Sequence, residues 1–143
     1  MSRLKLTETF VSIQGEADSV GWPSLFIRLT GCPLRCVYCD TQYAFYGGEW
    51  RTVPELLEVA RASGVRHVCV TGGEPLAQKS CVELLTALCA AGFVVSLENS
   101  AAESRTAAAA ASGPCVRVVM SSATRRCASR ASGRSATSAA RPS

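Results

Sequence analysis

Three cysteines fall within eleven residues, Gly31-Cys32-Pro33-Leu34-Arg35-Cys36-Val37-Tyr38-Cys39-Asp40-Thr41, at the spacing C-x-x-x-C-x-x-C. Thiolates this close on one loop can converge on a single centre, and soft sulfur ligands favour zinc or an iron–sulfur cluster. A structural zinc site takes four protein ligands, and the loop holds no fourth Cys or His. A [4Fe-4S] cluster held by three thiolates keeps one iron open to a substrate or cofactor. The spacing therefore predicts a reactive centre on a loop. Two other readings compete with it: a zinc half-site completed from Cys69 or His67, and cysteines that are simply buried or disulfide-bonded.

Eight cysteines in 143 residues would suit a secreted disulfide scaffold. No apolar signal segment follows Met1-Ser2-Arg3-Leu4-Lys5, and no run of about 18 apolar residues could span a membrane. The expectation is a cytoplasmic chain, where clustered cysteines bind metal or carry chemistry. The net charge of +4 is unevenly placed. Residues 1–100 hold eight basic and ten acidic residues, whereas residues 101–143 hold seven Arg against one Glu. The basic character belongs to the tail, whose arginines lack the interleaved aromatics that stack bases, so nucleic-acid binding is not expected.

The rest of the chain alternates strands and helices. Thr7 to Ser12 is β-competent, and Ile13-Gln14-Gly15-Glu16 offers a bend. Ser24 to Thr30 is β-branched and aromatic, and Gly31 stops it. Arg28 interrupts that apolar run, as either an edge-exposed residue or an anion-binding one. Gly47-Gly48 marks a loop. Thr52-Val53-Pro54-Glu55 has capping-box spacing and opens a helix to about Ala62, with Leu56, Leu57 and Ala60 on one face. His67 to Thr71 reads as a buried strand, with His67 structural or on the surface, and Thr71-Gly72-Gly73-Glu74-Pro75 closes it. A second helix is expected from Lys79 to Ala91, with Val82, Leu85, Leu88 and Cys89 at helical spacing and Cys81 and Cys89 packed as small apolar groups. Phe93 to Leu97 is the next strand, followed by Glu98-Asn99-Ser100.

This β-α-β order implies an α/β fold with a parallel sheet and helices outside. The chemically suggestive stretches, Cys32 to Thr41, Thr71 to Pro75 and Glu98 to Ser100, all follow the carboxyl ends of strands. Barrel-like α/β enzymes place their sites at that end. After about Ala101 the chain turns to Ala, Ser and Arg, and only Cys115 to Met120 could form a strand. Residues 101–143 therefore read as a poorly ordered tail or as sequence foreign to the preceding domain, such as a shifted reading frame would produce.

Together the cysteine loop, the aromatic Tyr38 within it and Thr71-Gly72-Gly73-Glu74-Pro75 resemble the radical S-adenosylmethionine (SAM) enzymes, whose fold is a partial (β/α) barrel. Ile13-Gln14-Gly15-Glu16, Phe26-Ile27-Arg28-Leu29-Thr30-Gly31-Cys32, Asp40-Thr41 and Ser96-Leu97-Glu98-Asn99 narrow the resemblance to the 7-carboxy-7-deazaguanine synthase family, over roughly residues 4–100. The resemblance implies that Cys32, Cys36 and Cys39 hold a [4Fe-4S] cluster. It implies that Tyr38, Cys39, Asp40 and Gly73 contact SAM and that Thr41 binds Mg²⁺. Ile13, Gln14, Gly15, Arg28 and Thr71 would line the substrate pocket. The implied reaction is a carbon–nitrogen lyase step, the radical ring contraction of 6-carboxy-5,6,7,8-tetrahydropterin to 7-carboxy-7-deazaguanine with loss of ammonia, in queuosine biosynthesis. A flavodoxin- or ferredoxin-type electron donor and a homodimer are implied as partners, and neither nucleic acid nor membrane.

The family usually reads Glu-Thr-[Ser/Asn]-Gly where this chain has Glu98-Asn99-Ser100-Ala101, and its further SAM and substrate segments have no counterpart. The expected architecture is thus a barrel truncated at its C-terminal side. Two alternatives are an activase-like radical SAM enzyme and an inactive cluster-binding fragment.

Overall fold

The computed structural model describes residues 2–31, 44, 46–99 and 115–119. One six-stranded sheet holds β1 (Arg3–Ile13), β2 (Pro23–Leu29), β3 (Glu49–Thr52), β4 (His67–Gly72), β5 (Val94–Glu98) and β6 (Val116–Val119). Their order across the sheet is β3-β1-β2-β4-β5-β6. The expected parallel sheet runs from β2 through β4 and β5 to β6. β1 adds an antiparallel edge on β2, and β3 pairs antiparallel outside it. Helices α1 (Val53–Ala62) and α2 (Cys81–Ala90) connect the parallel strands.

Alternation sorts the strand residues onto two faces. Leu25, Ile27 and Leu29 of β2, Val68 and Val70 of β4, and Val95 and Leu97 of β5 form one buried cluster with Leu56, Ala60, Leu84, Leu85 and Leu88 of the helices. Each such side chain taken from water contributes about 1.5–3 kcal/mol. The opposite face carries Phe26 and Arg28 of β2, Cys69 and Thr71 of β4, and Ser96 and Glu98 of β5. The apolar alternate positions hold the helices, so the polar alternates are left to line a site.

The capping box of α1 forms as expected: Thr52 Oγ1 accepts from Glu55 N–H at 3.4 Å, and Thr52 N–H donates to Glu55 Oε2 at 2.6 Å. Three details differ from expectation. β3 was not foreseen, because its four residues follow Gly47-Gly48 and leave Trp50 exposed, with no alternation to read. The inward face of α2 is Cys81, Leu84, Leu85 and Leu88; Val82 is only half-buried. Cys89 does not pack as a lone thiol but forms a disulfide with Cys115, the two Cα atoms 5.9 Å apart. Among the described residues no helix is long and apolar enough to cross a membrane.

Candidate active site

The base of the cysteine loop is pinned from several sides. Gly31 N–H donates to Ala44 O at 2.8 Å, which closes the two ends of the loop on each other. Glu74 N–H donates to Gly31 O at 2.9 Å, which sets the Thr71–Pro75 turn against the same point. The carboxamide of Gln78 clamps the neighbourhood: it accepts from Lys5 N–H at 2.7 Å and donates to Lys5 O and Thr30 O, both at 2.9 Å. Gln78 was not foreseen; it follows a turn of mixed polarity, and its partners lie 48 and 73 residues away in the chain.

Two glycines make this packing possible. At Gly72, φ is +146° and an added Cβ would overlap Leu29 O and lie 2.8 Å from Leu29 N. At Gly48, φ is +81° and a Cβ would overlap Thr30 Oγ1 and lie 2.7 Å from Leu6 O. Only glycine accepts both the dihedral and the contact. The loop itself, with Cys32, Cys36, Tyr38, Cys39, Asp40 and Thr41, lies outside the described residues. Among the described residues no group of three or more His, Cys, Asp or Glu side chains could hold a metal ion.

Beside the loop base, a row of polar side chains crosses the sheet face opposite α1 and α2. Arg28 is in register with Thr71 across β2 and β4, and with Glu8 across β1 and β2. Arg28 Nε is 2.9 Å from Glu8 Oε1, and its guanidinium lies 5.5 Å from the centre of the Phe10 ring. Phe10 in turn stacks on Phe26 with centroids 5.0 Å apart. Thr71 Oγ1 donates to Glu98 Oε2 at 3.0 Å. The edge-exposed reading of Arg28 is overturned, since β2 is flanked by strands on both sides and the side chain is only 15% exposed. Glu8 was missed, and Glu98, within a stretch expected to be chemically suggestive, was given no role there. Glu98 could have been found by carrying the alternation of β5 one residue further; the place of Glu8 depends on a bulge between Leu6 and Glu8.

The other expected substrate residues are divided. Gln14 is 2% exposed and accepts from Gly15 N–H at 2.9 Å through Oε1, while its Nε2 has no hydrogen-bond partner of good geometry among the described residues. Its amide lies beside the Cys69 thiol. Gly15 is exposed. Ile13 is 59% exposed and stands in register with Pro23, on the face away from Arg28, so that only its main chain can serve the polar face. Gly73 is half-buried at the end of β4.

Burial pushes the Cys69 thiol up to about 12, with the Glu98 carboxylate adding to the effect. Burial also pushes Cys81 up to about 12, aided by Glu74. Both stay neutral thiols at ordinary pH and are poor metal ligands. His67 is 3% exposed at the amino end of β4, the opposite end from the cysteine loop. Ser24 Oγ donates to Trp22 O at 3.0 Å and lies 2.5 Å from His67 Nδ1. With the hydroxyl proton so used, Nδ1–H is the donor to Ser24. Burial first, then Arg117, lowers the His67 pKa. Cys69 is thus a buried neutral thiol, and His67 sits at the end of the sheet opposite Gly31; the loop cysteines of the zinc reading lie outside the described residues.

Comparison with known proteins agrees with this geometry. The model of the radical SAM superfamily matches residues 26–124. The 7-carboxy-7-deazaguanine synthase of Rhodopirellula baltica is 48% identical over 101 residues, covering 69% of this chain and 39% of that protein. That of Methanospirillum hungatei is 46% identical over 100 residues, covering 69% and 43%. In structure, QueE from Escherichia coli matches with a TM-score of 0.71 and 29% identity, over 83% of this chain and 59% of that one. The likeness bears out the expected radical SAM type of fold. The chain spans about two-fifths of the length of these curated relatives. The matched family model, the three-cysteine loop and the glycine turn set against its base together place the chain in the radical SAM superfamily.

Proposed function

We propose that this chain carries the cluster loop and one substrate-binding wall of a 7-carboxy-7-deazaguanine synthase, acting on 6-carboxy-5,6,7,8-tetrahydropterin. The observation that carries the reading is the Arg28–Thr71 register on the face opposite α1 and α2, next to the closed base of the cysteine loop. The donor set fits the cofactors: three thiolates suit a [4Fe-4S] cluster with one iron left for SAM, and family membership implies both groups. Cys32, Cys36 and Cys39 would hold the cluster. Gly73 offers its backbone to SAM, with Tyr38 and Asp40 alongside. Thr41 supplies a hard oxygen for Mg²⁺. When bound, cluster and SAM supply the one-electron chemistry that opens hydrogen abstraction from the substrate.

The chain's own residues bind and orient. Arg28 meets the substrate carboxylate, held in place by Glu8 and by the stacked Phe10 and Phe26. A guanidinium presents several N–H donors, so one fork can serve Glu8 and a ligand carboxylate together. Gln14 Nε2, buried beside the Cys69 thiol and without a hydrogen-bond partner of good geometry among the described residues, is a ready donor to the pterin ring, because a poorly met donor is costly until a ligand satisfies it. Thr71 holds Glu98 at the same level. An electron donor of flavodoxin or ferredoxin type and a homodimeric assembly belong to this reading.

Arg28→Gln tests it. In the reconstituted chain under anaerobic conditions, the substitution should weaken binding of 6-carboxytetrahydropterin by roughly ten- to a hundredfold, the worth of a charge-assisted hydrogen bond, and leave SAM binding unchanged. Equal pterin affinity in the two proteins would overturn the assignment.

A further inference from the structure

We propose that Cys89 and Cys115 form a redox-operated staple that fastens β6 to the helix layer and so sets how closed the polar face is at that edge. Four cysteines lie among the described residues, and they fall into two classes. Cys69 and Cys81 are fully buried free thiols, pushed up to about 12, and are inert. Cys89, in the last turn of α2, and Cys115, immediately before β6, are half-buried and bonded to each other. Their Cα separation of 5.9 Å lies within the usual disulfide range.

Among the described residues the other ties of β6 are few. The strand has four residues, pairs with β5 and packs Val116 against the core. Flanking bonds run from Val95 N–H to Cys115 O at 3.1 Å and from Asn99 N–H to Val119 O at 3.3 Å. Its ion pair, Arg117 with Asp18 at 3.1 Å, is exposed on both sides, where such pairs add little. Val119 stands in register with Glu98 and is 9% exposed. Freeing β6 would open the Glu98–Thr71 pair to water. That consequence for the site rests on the proposed function; the staple itself does not.

The step is a thiol–disulfide exchange. Two protein thiols and one small-molecule disulfide give the Cys89–Cys115 bond and two small-molecule thiols, and a thiol reductant reverses it. Electrons pass from the protein thiols to the small disulfide, and the protons leave with its thiols. Intracellular disulfides of this kind are commonly transient and redox-sensing.

The test uses the full chain equilibrated in oxidised and in reduced glutathione. Differential alkylation with peptide mapping identifies the bonded pair, and amide hydrogen exchange reads β6. The expected result is a linked Cys89–Cys115 peptide and protected Val116–Val119 amides in the oxidised buffer. In the reduced buffer both thiols should be alkylated, and β6 should exchange at least about tenfold faster while α1 stays protected. The C89S/C115S protein should exchange like the reduced chain in both buffers. Failure of the linked peptide to form at any glutathione ratio, or β6 exchange that is the same in both buffers, would overturn the proposal.

Discussion

Gly72 decides how closely β4 approaches β2 at the mouth of the site. With φ at +146° and Leu29 backbone in the space of a Cβ, Gly72→Ala should lower stability by at least about 2 kcal/mol, read as a fall in the thermal unfolding midpoint. Retention of the wild-type midpoint would mean that the strands part without cost. His67 supplies a pH signature at the other end of β4. Its folded pKa lies below the ordinary 6.5, so the unfolded chain binds more protons between the two values. Its contribution is therefore complete above about pH 6.5 and is lost as pH falls through the folded value. Denaturant midpoints should drop as pH falls from about 7.5 to 5.5, and His67→Phe should flatten that part of the profile. Side-chain roles were only partly legible at this scale. The cysteine spacing and the double glycine speak for themselves, because few structures need them. Arg28 was ambiguous until β1 supplied Glu8, since pairing partners across strands depend on register.

At the scale of elements, α1 is the most legible piece, because its start is written in four consecutive residues. Thr52→Ala removes the N-cap acceptor and should cost about 1 kcal/mol by chemical denaturation. α2 depends on packing instead, since Ser80 makes no side-chain cap bond. Leu88 is fully buried, and Leu88→Ala should cost about 2–5 kcal/mol in the same measurement, more than any cap change. A smaller loss would place Leu88 outside the continuous core. The strands after Gly21 were legible because apolar runs stop at glycines or at polar turns. β3 was not, because an exposed edge strand needs no apolar face. The disulfide was not legible either: nothing in the spacing of Cys89 and Cys115 shows that the helix end and the start of β6 meet.

At the scale of the molecule, the sheet divides the work between its faces. One face packs the helices, and the other carries Glu8, Arg28, Thr71 and Glu98 beside the closed base of the three-cysteine loop. That division explains why strand patterning and motif spacing agree: the polar alternates are the residues proposed for the site. The segment after residue 100 contributes β6 to the same sheet, so the sheet does not stop where the family-like motifs do. The chain covers 39–44% of the first three curated relatives. Whether the cluster loop and this one polar wall suffice for turnover is therefore the central question. The most direct measurement is anaerobic reconstitution with iron and sulfide, followed by SAM, dithionite, Mg²⁺ and 6-carboxytetrahydropterin, with mass spectrometry of the products. The proposed function predicts 5′-deoxyadenosine together with 7-carboxy-7-deazaguanine, and neither from a C36A chain. A protein that assembles the cluster but yields no 7-carboxy-7-deazaguanine would contradict it.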